Sequence, residues 1–316
     1  VFLFFSTTGS VDAITYELGD VFAGLKNGTV EHWRPSSSLL APVATYSTGF
    51  PGAEQTGMAF DSSGNLYTTQ FGPSNITKFD NAGAIIASPF VTNDTGSHNE
   101  SIVFDSSGNF YVGQADGTRD IIKRAADGTL LDRYDVATGR RGSDWIDLAS
   151  DQTTMYYTSE GRQIRRYDVS TDTQLADFAT LPGSSNAFAL RLLGDGGLIV
   201  ADRSDIKRLD STGTVVSTYD VTGEDFWFAM NLDPDGTSFW SAGYSSGLVQ
   251  QFNIADGALL DSFTAGGGPS GLAVFGEITQ GKPPEDKPPG VPEPATLFLL
   301  GFGLIGLAGL RKKIKK

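Results

Sequence analysis

Gly57-Met58-Ala59-Phe60-Asp61-Ser62-Ser63-Gly64-Asn65-Leu66-Tyr67 returns 44 residues later as Ser101-Ile102-Val103-Phe104-Asp105-Ser106-Ser107-Gly108-Asn109-Phe110-Tyr111. In each copy a polar Asp-Ser-Ser-Gly-Asn run joins two apolar ones. That composition suits a tight hairpin, because glycine reaches positive φ without a Cβ clash. Weaker copies stand around Asp147-Leu148-Ala149, Leu190-Arg191-Leu192, Met230-Asn231-Leu232 and Leu272-Ala273-Val274. Taking Phe60, Phe104, Ala149, Leu192, Leu232 and Val274 as equivalent, the spacings are 44, 45, 43, 40 and 42. A second element keeps the same beat, with a β-branched residue, two mostly polar ones and then an aromatic or Leu. Its copies begin at Val30, Ile76, Ile122, Ile164, Ile206 and Val249. Alternation with a period near two identifies strands, whose successive side chains point to opposite faces. No segment before residue 290 has a helical apolar period, so the body reads as all-β.

A four-stranded unit at this spacing is the arithmetic of a β-propeller blade. Six copies of the second element start at Val30, whereas six copies of the first start only near Phe60. The first blade therefore lacks an inner strand, and the last inner strand, Gly271 to Phe275, has nothing after it. If that strand completes the first blade, both deficits vanish and an exposed edge disappears. The expectation is a six-bladed propeller closed by its C-terminal inner strand; a seventh blade would need strands in residues 14–20. Residues 57–80 resemble the NHL-type and gluconolactonase-like propeller families, and the likeness extends over roughly residues 20–275. The Trp-Asp and Gly-His marks of WD40 blades are absent.

The net charge is −14, and the last six residues hold five of the cations, leaving 18 Lys and Arg against 37 Asp and Glu in residues 1–310. So acidic a body repels phosphate backbones, which argues against nucleic acid as a partner. The absence of cysteine excludes disulfides, thiolate metal sites and cysteine nucleophiles.

Both ends read as addresses. Residues 1–13 open on Val1-Phe2-Leu3-Phe4-Phe5, and Val11-Asp12-Ala13 satisfies the small-residue rule for signal-peptidase cleavage. They read as the remnant of a signal peptide, or alternatively as a buried first strand. Residues 14–278 are the expected propeller. Residues 279–291 form a Pro-rich spacer with too little apolar surface to fold. Residues 292–316 carry Pro292, Glu293 and Pro294, the uncharged span Ala295–Leu310, and a basic end of Arg311, Lys312, Lys313, Lys315 and Lys316. As a helix that span is about 24 Å long, slightly short of a hydrocarbon core, and snorkelling lysines would make up the difference. The flanking cations put that end in the cytoplasm and the propeller on the other side. This order of parts resembles the PEP-CTERM sorting signal of Gram-negative bacteria. The resemblance implies an exosortase-type membrane enzyme as processing partner, export with transient membrane anchoring, and a link to exopolysaccharide.

For chemistry, there are only two histidines, His32 and His98, too far apart in sequence for the usual zinc spacing. His32 reads as a surface residue of its strand. No G-x-S-x-G elbow, P-loop or H-E-x-x-H occurs. The loops entering the inner strands ring a propeller's channel, and they offer Glu54, Gln55, His98, Asn99, Glu100, Asp144, Asn186, Glu224 and Asp225. The gluconolactonase-like resemblance implies a divalent cation at such a mouth. Glu100, Asp144 and Asn186 are the candidate ligands, and Ca²⁺ is the hard cation that oxygen donors suit. Asp-Gly turns such as Asp61–Gly64 read instead as hairpin chemistry. Trp145, Phe188, Phe226, Trp227 and Phe228 either stack on a ligand's rings or wedge neighbouring blades apart. The candidate ligand-binding set is Glu100, Asp144, Trp145, Asn186 and Trp227. It serves a non-catalytic protein that binds polysaccharide or an envelope protein, or alternatively a metal-dependent lactonase, hydrolase or lyase.

Overall fold

The computed structural model describes residues 14–92, 97–183 and 186–279. These form 25 strands in six antiparallel sheets, one per blade. The second element of the repeat lies on the third strand of each blade, at Thr29–Trp33, Ile76–Phe79, Ile121–Arg124, Gln163–Asp168, Asp205–Leu209 and Leu248–Asn253. The inner strands are Gln55–Phe60, Asn99–Phe104, Ile146–Leu148, Ala187–Leu192, Trp227–Leu232 and Pro269–Val274. The last of these pairs with Val21–Leu25, placing Val21 opposite Val274 and Gly24 opposite Gly271. Blade one is thus completed by the C-terminal strand, and residues 14–20 form no strand. The sequence-derived signal peptide, sorting motif and membrane span lie outside the described residues. Among the described residues no helix is long and apolar enough to cross a membrane.

The Asp-Ser-Ser-Gly-Asn segments are turns. Asp61 Oδ1 accepts the amides of Ser63 and Asn65, both at 2.9 Å, and Gly64 takes φ +78°. Asp105 repeats this with Ser107 and Asn109, again at 2.9 Å. Each carboxylate is occupied by its own backbone, so these loops are not cation cages.

Apolar side chains fill the wedges between blades. Tyr67, Phe90, Phe104 and Phe110 interlock between blades two and three, and Tyr219, Phe239 and Phe252 between five and six. Around the channel the inner strands approach so closely that small residues are required. A Cβ on Gly57 would lie 2.5 Å from Ser101 Cα. Hydrogen bonds through side chains pass from each blade to the next. Ser270 Oγ donates to the Gln55 carbonyl (3.1 Å), and Thr56 Oγ1 to the Asn99 carbonyl (3.0 Å). The Gln114 amide donates to Ser143 Oγ (3.0 Å) and the Leu192 amide to Asp147 Oδ2 (2.8 Å). Arg191 Nε donates to Asn231 Oδ1 (2.5 Å), and Asn231 Nδ2 to the Leu272 carbonyl (3.0 Å), which returns the circuit to blade one.

His32 is a correction to the sequence reading. It is fully buried, not on the surface. Its Nε2 donates to Asp20 Oδ2 (2.6 Å), its Nδ1 meets the Tyr46 hydroxyl (2.9 Å), and its ring stacks on Phe22. Arg34 donates to both oxygens of Asp20, so the buried carboxylate is fully engaged. The closing blade buries a polar knot because every member has a partner.

Candidate functional site

The two ends of the channel differ. At the ends where the inner strands finish, a cavity of about 180 Å³ is bordered by Phe60, Phe104, Asp147, Arg191 and Glu277. The chain leaves the propeller beside it. At the ends where the inner strands begin, the mouth, a cavity of about 240 Å³ is built from two sets of loops. Entry loops to the inner strands supply Glu54, Arg140, Arg141, Asn186 and Phe226, and the strands themselves add Glu100, Phe188 and Phe228. Turns between second and third strands supply Phe71, Glu160, Arg203 and Tyr244.

Those turns carry backbone strain. In blades two to five a non-glycine residue takes left-handed φ there: Ser74 (+55°), Arg119 (+68°), Glu160 (+47°) and Arg203 (+47°). Such a residue costs about 1–2 kcal/mol, and strain of this kind collects at functional sites. Two of the four, Glu160 and Arg203, line the cavity.

The electrostatics are divided. Arg141 pairs with Asp116 and, at 3.5 Å, with Glu160. Asp116 also meets His98 Nδ1 at 3.0 Å, and the His98 ring lies 4.3 Å from that of Phe71. Glu100 and Asp144 are almost wholly buried. Burial pushes both carboxyls well above their usual range. For Glu100 the charges of Asp144, Glu54 and Glu160 add to the effect; for Asp144 the charge of Glu160 does. Asp144 Oδ2 has no hydrogen-bond partner among the described residues. Lys26 Nζ lies 3.1 Å above the Tyr244 ring centroid, and desolvation lowers its pKa.

The residues selected from sequence separate clearly. Glu100 and Asn186 line one cavity, while Asp144 lies buried beside Glu100 and couples to it through charge. Trp145 is buried, set edge-on to Phe228 at 5.7 Å. Trp227 is buried against Phe252 at 5.6 Å and faces the wedge between blades, not the cavity. Its neighbours Phe226 and Phe228 face the cavity instead, as alternation along an extended chain requires. Glu224 is buried, its Oε1 accepting the Phe226 amide at 2.9 Å.

Among the described residues no three His, Asp or Glu side chains converge as metal ligands would. A Ca²⁺ ion held by Glu100, Asp144 and Asn186 would need further oxygens, from water or ligand, to reach six to eight, and would share the space with Arg140 and Arg141.

Sequence reading missed Arg140, Arg141, Glu160, Arg203, Phe71 and Tyr244. Arg140 and Arg141 were within reach, since they share an entry loop with Asp144. The other four sit on turns whose lean over the mouth is a tertiary property.

Fold and mouth together define a six-bladed β-propeller with a polar and aromatic cavity at one end of its channel. Residues 290–313 match the PEP-CTERM protein-sorting motif, a match that includes Pro292, Glu293 and Pro294 and the apolar span after them. The chain is therefore an all-β propeller bearing a PEP-CTERM motif, marked for export and for sorting through its C-terminus by an exosortase. No curated protein matches it in sequence. Among solved structures it is similar to a chain of the nidogen/laminin complex, at 15% identity and TM-score 0.66, covering 81% of this chain and 98% of that one. It is also similar to the WD40 propeller domain of Doa1, at 18% identity and TM-score 0.59, covering 83% and 87%. Virginiamycin B lyase from Staphylococcus aureus matches at 14% identity and TM-score 0.51, covering 66% and 69%. At these identities the likeness is one of fold.

Proposed function

We propose that the protein is a non-catalytic binding propeller of the cell surface or extracellular matrix, and that its mouth holds a sugar residue of a polysaccharide. The observation that carries this reading is the single cavity in which Phe71, Phe188, Phe226, Phe228 and Tyr244 surround hydrogen-bonding groups of Asn186, Glu54 and the arginines. Aromatic faces cover the apolar side of a sugar ring while amide, carboxylate and guanidinium groups meet its hydroxyls. At about 240 Å³ the cavity is smaller than most drug-sized ligand sites, which favours one ring or a chain end over a long stretch. A protein partner would call for a broad, flatter patch. The test is binding of the full chain, in detergent, to an array of bacterial polysaccharides and oligosaccharides. Specific binding is expected, weakened about tenfold or more by Phe226→Ala, as for a buried aromatic anchor. Absence of binding to every glycan sinks the reading.

One observation favours an enzyme as the second reading: two buried carboxyls, Glu100 and Asp144, whose burial raises their pKa and so favours the protonated, proton-donating form. A metal-dependent hydrolase, lactonase or lyase would in addition need oxygen donors beyond these. Calorimetric titration of Ca²⁺ into the metal-stripped chain decides the metal question. Turnover of lactone or glycan substrates, abolished in Glu100→Gln, would establish catalysis in place of binding.

A further inference from the structure

We propose that the sugar taken at the mouth is an acidic one, a uronate whose carboxylate is held by Arg140 and Arg203; this rests on the mouth being the saccharide site. Three guanidiniums border the cavity. Arg141 is committed to Asp116 and Glu160. Arg140 and Arg203 have no carboxylate within ion-pair distance among the described residues, although acids outnumber cations 37 to 23 in the chain. Both border Asn186. Arg140 Nη1 donates to Asn186 Oδ1 at 3.4 Å, and the Asn186 backbone N–H donates at 2.8 Å to Asp202 Oδ1, in the residue before Arg203. Arg203 is placed by its backbone. It holds φ +47°, its carbonyl accepts the Trp227 amide at 2.7 Å, and its guanidinium lies 5.1 Å from the Phe226 ring centroid.

Two unpaired guanidiniums beside an aromatic wall present planar forks that match a carboxylate's two oxygens. A ring bearing that carboxylate would lie against Phe226 and Phe188. The neighbouring Glu54 and Glu160 disfavour a doubly charged phosphate more than a single carboxylate. The acidic body repels a long polyanion, so a chain end is the form the site accepts.

The experiment titrates the full chain, in detergent, with trisaccharides of glucuronate, galacturonate and mannuronate, with the matching neutral trisaccharides, and with a sulfated one. One uronate is expected to bind at least about tenfold more tightly than its neutral counterpart, the size of one charge-assisted contact. Arg203→Gln and Arg140→Gln are each expected to bring the uronate affinity down to that of the matching neutral sugar, removing the preference, with the melting temperature unchanged. Arg203→Lys, which keeps the charge but loses the fork, is expected to restore part of it. Equal affinity for uronate and neutral sugar overturns the inference and leaves the saccharide reading standing. Tighter binding of the sulfated sugar overturns the carboxylate assignment, and absence of any binding overturns inference and reading together.

Discussion

Glu100 enters the mouth from the second position of an inner strand, where water hardly reaches it and Asp144, Glu54 and Glu160 oppose its ionisation. A carboxyl whose folded pKa is raised binds a proton more tightly in the folded state than in the unfolded one. Its contribution to stability is therefore fully present below the unfolded value near pH 4.3, and is lost as pH rises through the folded value. Glu100→Gln cannot ionise and escapes this loss. Thermal unfolding of the full chain in detergent should show the variant melting higher than the parent at pH 8, with the difference shrinking toward pH 4. A shift of equal size at both pH values would contradict the burial argument. Glu100 was legible because it falls at the start of a repeated strand. That Trp227 and Phe226 face opposite ways was legible from alternation, but which of the two faces the cavity was not. His32 was not legible: its burial depends on Asp20, Tyr46 and Arg34 meeting across three segments of the closing blade.

Elements pack here under a steric limit that the repeat only hints at. Gly57 occupies the inner strand where blades two and three touch, and an added Cβ would collide with the backbone at Ser101 Cα, 2.5 Å away. Backbone cannot rotate aside as a flexible side chain does, so Gly57→Ala is expected to cost about 1–3 kcal/mol, in the range of overpacked cores. Gly194, in an exposed turn with nothing within 4 Å of an added Cβ, is the control. Gly194→Ala is expected to stay within about 0.5 kcal/mol. Denaturant midpoints of the two variants make the comparison, and equal losses would show that the inner-strand contact is soft. Strand positions and hairpin turns were readable because the two-residue period and the Asp-x-x-Gly turns are local. The left-handed residues of the second-to-third strand turns were not, because Ser74, Arg119, Glu160 and Arg203 are none of them the Gly or Asn that marks positive φ in a sequence.

Across the whole molecule the ring closes through the strand Pro269–Val274, and hydrogen bonds through side chains link each blade to the next. Such a ring gains stability from closure as a unit, since an open blade would leave Val21–Leu25 with an unpaired edge. A chain ending at Gly268 is expected to lose cooperative thermal unfolding and to aggregate, as circular dichroism and light scattering would report. A cooperative melt near the parent's would mean that five complete blades suffice.

The amino-acid sequence by itself determined the all-β class, the six-fold repeat, the closing strand and the C-terminal sorting motif. Each of these is written in local periods and contiguous runs, which need no knowledge of what lies across the channel. Only the tertiary structure decided what the mouth is made of. Bringing Arg140, Glu160, Arg203 and Tyr244 to one cavity joins residues more than a hundred positions apart. Which of the neighbouring aromatics faced that cavity, and which carboxyls were pushed above their usual range, followed from burial, and burial is a property of the closed ring.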